Sequence, residues 1–297
     1  MTRVPKKIAV LKGGPSSERE VSLRSGSAVA QALRSCGYTV AEIDVTAAAL
    51  PDLPADTDVV FVALHGDFGE DGQVQALLEA RGIPYTGSDP ASSRASFDKR
   101  ISKRLLEKAG IPTPAYELLR RGAARSLPLP VVVKPPCQGS SIGVHRVFQE
   151  ADWQPALQDA LAYGEDALVE AFIAGRELTV GIVGGDALPV VEIVAPGGWY
   201  DYTAKYTPGT TEYRVPAPIP EPVASRCQDI ALRTFAALGC RGLGRVDLRM
   251  AEDGGLFVLE LNNIPGFTAT SLLPKAAQLA GMDYAKLCDR IVKLALA

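Results

Sequence analysis

Two short segments near the C-terminus carry side chains suited to metal and phosphate chemistry. Residues 244–249 read Gly-Arg-Val-Asp-Leu-Arg, and residues 257–263 read Phe-Val-Leu-Glu-Leu-Asn-Asn. Each alternates polar and apolar residues with period two, as a half-buried strand does. That places Arg245 and Asp247 on one face of the first, and Glu260 and Asn262 on one face of the second. Asp253-Gly254 lies between them, and Asp-Gly is a strong hairpin signal. With those two as the central turn residues, Asp247 falls opposite Glu260 and Arg245 opposite Asn262. A three-residue loop would shift that register by one. Two carboxylates facing each other across a ladder repel. A hard divalent cation reverses the sign, and Mg²⁺ takes one or two carboxylates plus substrate phosphates. A surface hairpin with solvated charges would use the same residues, so the rest of the chain must decide.

A second constellation suits phosphate. The run Val131-Val132-Val133-Lys134 reads as a strand ending at Pro135-Pro136, and Gly139-Ser140-Ser141-Ile142-Gly143 follows. Such a small-residue loop can bring backbone N–H groups and hydroxyls onto phosphate oxygens. Alone it is a common turn. Lys134 closing an apolar run, with Lys99 and the carboxylate hairpin, makes it a nucleoside triphosphate site. Neither a Walker A motif nor a complete G-x-G-x-x-G fingerprint occurs, which disfavours those nucleotide folds.

Bulk properties narrow the classes. With 297 residues the expectation is about two domains of ordinary size. A net charge of −3 gives no reason to expect nucleic acid or a membrane surface as partner. The longest apolar run, 59–64, is far too short to span a bilayer. Residues 1–7 lead into a strand and lack a signal-peptide apolar region, so a cytoplasmic location is expected. The five cysteines are scattered with no C-x-x-C pair, which disfavours zinc and disulfide frameworks. Two histidines, His65 and His145, leave little room for histidine-based chemistry.

Elements that would position these residues follow. Strands are expected at 8–11, 38–45 and 59–64, with helices at 18–36 and 72–81, a βαβ pattern that predicts a parallel doubly wound sheet. Ser16 or Ser17 is expected to cap the first helix. A helix over 98–110 precedes the Lys134 strand, and strands at 167–173, 177–183 and 188–194 suggest antiparallel pairing. Residues 196–222, rich in Pro, Gly and Tyr, break all regularity and are the candidate lid. Helices at 223–238, 271–279 and 284–296 complete the chain.

With these motifs in order, the chain resembles the D-alanine–D-alanine ligases of the ATP-grasp superfamily. The resemblance runs from about residue 7 to the C-terminus. It rests on Gly13-Gly14 through Ser16-Ser17-Glu18, His65-Gly66, Gly69-Glu70-Asp71-Gly72, Asp98-Lys99, the Lys134 strand with its Gly-Ser-Ser loop, Tyr200-Asp201-Tyr202, Ala204-Lys205-Tyr206, the carboxylate hairpin, and Pro265-Gly266-Phe267-Thr268. It implies an N-terminal α/β substrate-binding domain over 1–90, a central ATP-grasp lobe over 91–174, and a C-terminal lobe over 175–297 with the lid at 196–222.

The implied roles are these. Asp247, Glu260 and Asn262 resemble ligands of two Mg²⁺ ions, with Mn²⁺ as a substitute. Lys99, Lys134, Ser141 and Lys205 resemble ATP contacts; Glu170, Ala171 and Ile173 resemble the adenine hinge, and Glu177 the ribose carboxylate. Glu18 resembles the anchor of the first D-alanine, with His65 nearby. Arg245 and the Gly266 N–H resemble an oxyanion site, and Ser271 and Leu272 contacts to the second D-alanine. Glu18, Ser140 and Tyr206 resemble a set that pins the lid. The implied partners are ATP, D-alanine and a second copy of the chain in a homodimer. The implied activity is ATP-dependent formation of D-alanyl-D-alanine for peptidoglycan precursors. Ligases making D-alanyl-D-lactate or D-alanyl-D-serine, other ATP-grasp ligases and a non-catalytic nucleotide-binding module are the rivals. Gln138, Ala171 and Asn263 depart from the common pattern.

Overall fold

A computed structural model describes residues 6–207 and 209–297, without the side chains of Tyr202 and Tyr206. Strands β1 (Lys7–Gly13), β2 (Thr39–Val45) and β3 (Val59–Val62) form a parallel sheet in the order β2-β1-β3. The central strand is apolar on both faces, as a strand covered on both sides must be. Ile8 and Val10 enter one core with Phe61, whereas Ala9 and Leu11 enter another with Val60 and Val62. The helix Arg19–Ser35 connects β1 to β2. Gly13 turns the chain between strand and helix at φ +88°, and a Cβ there would run into the Asp44 carboxylate. No serine caps this helix. Its first residue follows Glu18, and Ser16 Oγ instead accepts the Glu18 N–H (3.2 Å) while donating to the His65 carbonyl (2.6 Å).

Strands β4 (Tyr116–Arg120), β5 (Val131–Lys134), β6 (His145–Val147) and β7 (Asp166–Ala171) form an antiparallel sheet in the order β4-β7-β5-β6. Strands β8 (Gly175–Val183), β9 (Asp186–Ala187), β10 (Val191–Val194), β11 (Glu212–Arg214), β12 (Leu243–Ala251) and β13 (Leu256–Asn262) form the third sheet. Its order is β11-β10-β8-β12-β13, with β9 on β8.

The differences from expectation have physical reasons. The helix expected over 98–110 forms as Lys99–Lys108, but an unexpected helix, Pro90–Phe97, precedes it, with Asp98 between them accepting the Arg100 N–H. The unexpected helix buries Ser92, Ser93 and Ser96, so no apolar stripe announces it. The strand expected over 188–194 is interrupted at Leu188-Pro189, leaving β10 to begin at Val191. The stretch 196–222 is not wholly irregular. It holds the short helix Tyr202–Tyr206, capped by Asp201 at the Ala204 N–H, and β11, which pairs with β10.

Candidate active site

The hairpin forms between β12 and β13 with Asp247 opposite Glu260 and Arg245 opposite Asn262. The route to that register differs from the expected one. The turn holds three residues, Glu252-Asp253-Gly254, with the Ala251 N–H bonded to Gly255 O (2.8 Å). Near the turn Met250 therefore opposes Leu256, one residue out of the expected register. A bulge beside Asp247 then restores it. Consecutive residues Leu259 and Glu260 consequently both line the same cavity.

Asp247 is buried and its carboxylate is saturated with donors. Arg245 grips it with Nε and Nη2, both at 2.8 Å; Thr179 Oγ1 donates at 2.7 Å and Asn262 Nδ2 at 3.1 Å. Four donors account for the lone-pair sites a carboxylate offers. Glu260 meets Lys99 Nζ at 3.2 Å. Burial would push Glu260 up, but Lys99, Lys205 and Lys134 together hold it down at about 2.

Lys99 is buried and donates to the Gln138 carbonyl (3.0 Å) at the start of the glycine–serine loop. Lys134 Nζ lies 2.5 Å from Glu170, which also pairs with Lys103. Burial dominates at Lys103 and lowers its pKa despite Glu170. In the loop, Ser140 and Ser141 adopt φ of 52° and 59°, a conformation that non-glycine residues hold only when their surroundings impose it. Two contacts do so. Ser140 Oγ donates to Glu18, and Ser141 Oγ donates to the Tyr200 carbonyl at 3.2 Å. The loop thus ties the N-terminal elements to the 196–222 segment. The Tyr206 side chain, the expected third member of that tie, lies outside the described residues.

Two cavities meet here. The first has apolar walls from Val144, Phe172 and Leu259. Lys99, Lys134, Ser141, Glu170, Ala171, Ile173, Glu177, Lys205, Asp247 and Glu260 all border it. At its hinge the Ala171 N–H goes to Ala115 O (2.8 Å), and Ile173 O accepts from Arg249 Nε (3.2 Å). Glu177 pairs with Arg249 at 3.2 Å. Burial, helped by Asp247 and Glu260, nevertheless pushes its carboxyl up to about 7.

The second cavity is bordered by Glu18, His65, Ser140, Arg245, Asn262, Gly266, Ser271 and Leu272. Gly139, Tyr200 and Lys205 border both cavities and mark their junction. Every expected site residue whose side chain is described therefore falls on one cavity or the other. His65 is buried with its ring nitrogens on Ile264 O (3.0 Å) and Ser25 Oγ (3.3 Å). Burial opposes its charge, but Glu70 and Glu18 raise it above the ordinary value. Asn263 is buried and donates to Glu70 O (2.8 Å) and Ser93 O (3.4 Å), which gives it structural work beside the hairpin.

Sequence reasoning missed Lys103, Arg249 and Leu259. Lys103 had no readable signal: Lys99, Ser102, Lys103 and Leu106 form the buried face of one helix, but three of the four are polar, so no apolar stripe marks that face. Arg249 continues the Arg245–Asp247 alternation by two residues. Leu259 had none, because it enters the cavity only through the bulge.

Known proteins match this arrangement along nearly the whole chain. The family model described as D-ala D-ala ligase C-terminus matches residues 105–293, and its N-terminal counterpart matches 45–88. A D-alanine–D-alanine ligase of Syntrophotalea carbinolica is 50% identical over 97% of this chain and 95% of its own. The crystal structure of a Bacillus anthracis D-alanine–D-alanine ligase complexed with ATP superposes with a TM-score of 0.85 at 32% identity. That match covers 98% of this chain and 97% of the other. The VanG D-Ala:D-Ser ligase of Enterococcus faecalis gives 0.86 at 29% identity, covering 98% and 99%. The matching family models, the near-complete overlap and the ATP-grasp architecture agree: this chain belongs to the D-alanine–D-alanine ligase family.

Proposed function

We propose that this chain uses ATP to join two D-alanines into D-alanyl-D-alanine, releasing ADP and phosphate, for peptidoglycan precursor synthesis. The observation that carries this reading is the junction of the two cavities. Lys99 and Glu260 border the first, Glu18 and Arg245 border the second, and Gly139, Tyr200 and Lys205 border both. A carboxylate bound in the second cavity can thus reach a γ-phosphoryl group bound in the first.

The attack joins two anions, so the barrier is largely electrostatic. Lys99, Lys134 and Lys205 supply positive charge at the junction. The donor carboxylate displaces ADP to give an acyl phosphate. The second amine then attacks the acyl carbon, with Arg245 and the Gly266 N–H facing the developing oxyanion, and phosphate leaves with the former carboxylate oxygen. Water would destroy the acyl phosphate, so the segment over 196–222 closes the site.

Asp247, Glu260 and Asn262 are the residues that would hold Mg²⁺. The donor set is hard oxygen, which suits the ion. Among the described residues no three His, Cys, Asp or Glu side chains cluster as ligands; the third ligand here is an amide. Asn262 turns its Nδ2 to Asp247. Rotating that amide would free a carboxylate lone pair and offer Oδ1 in its place. When bound, the metal neutralises phosphate oxygens.

Three coarser expectations join this proposal. The division at 1–90, 91–174 and 175–297 is supported by one sheet in each part, although Leu106 and Ile111 pack into the core of the third sheet. A cytoplasmic location agrees with there being no described helix long and apolar enough to cross a membrane. A homodimer is expected from the family, and sedimentation would test it. For the activity itself, ATP turnover should rise with D-alanine and not with L-alanine. Turnover indifferent to D-alanine would contradict the reading, and efficient use of D-lactate or D-serine as second substrate would redirect it.

A further inference from the structure

The second cavity has a cation with no assigned task. Lys275 lies on the helix Leu272–Leu279, four residues after Ser271, and borders the cavity with Ser271 and Leu272. Residues four apart on a helix share one face, while Leu273, Ala276 and Ala277 turn into the core. Lys275 is half-buried, and its ammonium sits 4.6 Å from the centroid of the Tyr213 ring. Tyr213 is itself fixed by a 2.9 Å hydroxyl contact to Tyr200, the residue at the cavity junction. The ring face therefore holds the cation at the cavity wall.

Charge around the cavity is uneven. Its bordering carboxylates, Glu18 and Glu70, come from the N-terminal elements and are engaged by Ser140 and His65. Arg245 gives Nε and Nη2 to Asp247, and its remaining nitrogen is the one assigned above to the oxyanion. Lys205 Nζ sits 5.3 Å from the centroid of the Tyr200 ring at the junction. Among the described residues, no carboxylate pairs with Lys275. The polar groups beside it, on Thr268, Thr270 and Ser271, are neutral. Ser271 Oγ already accepts the Thr268 N–H at 3.0 Å.

Acceptor chemistry supplies the missing anion. An amine attacks only when deprotonated, and D-alanine in that form carries a bare carboxylate and a net charge of −1. We propose that Lys275 recognises the carboxylate of the second, acceptor D-alanine and is a specificity-determining residue for it. This rests on the functional reading above. It adds a residue that the family resemblance did not supply, and it separates the acceptor end, read by a cation, from the donor end, read by Glu18.

The test compares the parent with Lys275→Gln, Lys275→Arg and Arg24→Gln, all checked for unchanged thermal unfolding. Arg24 is an exposed cation bordering the same cavity and controls for diffuse charge. Initial rates are measured at saturating ATP with D-alanine as donor and either D-alanine or carboxylate-free D-alaninamide as acceptor. Lys275→Gln should raise the acceptor D-alanine KM about tenfold or more, the loss expected for a bond to a charged group. It should leave the ATP and donor KM values within about twofold and D-alaninamide kinetics unchanged. Lys275→Arg should restore most of the loss, and Arg24→Gln should show little. Equal losses with both acceptors, or an equal loss in Arg24→Gln, would overturn the assignment. A parent that makes no D,D-dipeptide would overturn the functional reading itself, and this inference with it.

Discussion

At the scale of single residues, the site works by setting buried charges against one another. Glu260 is held at about 2 because three lysines outweigh its burial. Its folded-state pKa is below the ordinary value, so its contribution to stability is present above about 4.5 and lost as pH falls toward about 2. Glu260→Gln keeps the shape and removes the charge. Turnover should fall by about 100-fold or more, and the acid-sensitive part of the stability should go with the charge; near-normal turnover would contradict the metal assignment. Glu177 has the opposite sign. Burial raises its carboxyl to about 7, so the folded protein binds the proton more tightly than the unfolded chain. Its ionisation should erode stability as pH rises from about 4.5 to about 7. Denaturant unfolding of the ligand-free protein across that window should show the slope, and Glu177→Gln should flatten it. The ATP KM should fall as pH rises through about 7, where Glu177 becomes able to accept two ribose hydroxyls. A pH-independent KM would remove Glu177 from ATP recognition.

These residues were unevenly legible. Arg245, Asp247, Glu260 and Asn262 could be read because a strand's period of two forces them onto one face. Lys99 and Lys134 could be read because they lie at the ends of an apolar strand and a helix start. The Lys103–Glu170 pair was hidden, because a fully buried lysine looks in sequence like any helix-surface lysine. Its existence depends on two separate elements, helix Lys99–Lys108 and β7, meeting in space.

At the scale of elements, the hairpin and the 196–222 segment do the positioning. The hairpin reached its expected pairing by two departures that cancel, a three-residue turn and a bulge one step from Asp247. Sequence supplied the Asp-Gly signal but could not count the loop residues, since a glycine at φ +82° serves either turn. The segment over 196–222 read as irregular because its helix is five residues long and its strand three, too short for any period to emerge. Beside the β10–β11 pairing, two contacts tie it down at the cavity junction. Tyr200 and Tyr213 share one hydroxyl contact, and Ser141 holds the Tyr200 carbonyl. Tyr213→Phe should loosen the closed segment by about 0.5–1.5 kcal/mol, the net worth of one hydrogen bond. Hydrogen exchange over residues 200–213 should then slow less on binding ATP and D-alanine than in the parent. Phosphate release should also exceed dipeptide formation, because water reaches the acyl phosphate. Equal protection and equal coupling would show that this contact does not hold the segment.

At the scale of the whole molecule, three sheets bring their edges to one place. The parallel sheet presents Glu18 and His65, the four-stranded sheet presents Lys134 and the glycine–serine loop, and the six-stranded sheet presents the hairpin. The alternation of strands and helices made the first sheet legible, and antiparallel pairing followed from the later strands. The long-range contact between Glu18 and Ser140, 122 residues apart, came only from resemblance, because no local pattern encodes it. The arrangement makes one demand on the chemistry: a D-alanine carboxylate oxygen must pass from the second cavity to phosphorus in the first. D-alanine labelled with ¹⁸O in its carboxylate tests this directly. The account predicts that each phosphate released during dipeptide synthesis carries one ¹⁸O atom from the donor. Dipeptide formed with unlabelled phosphate would contradict it.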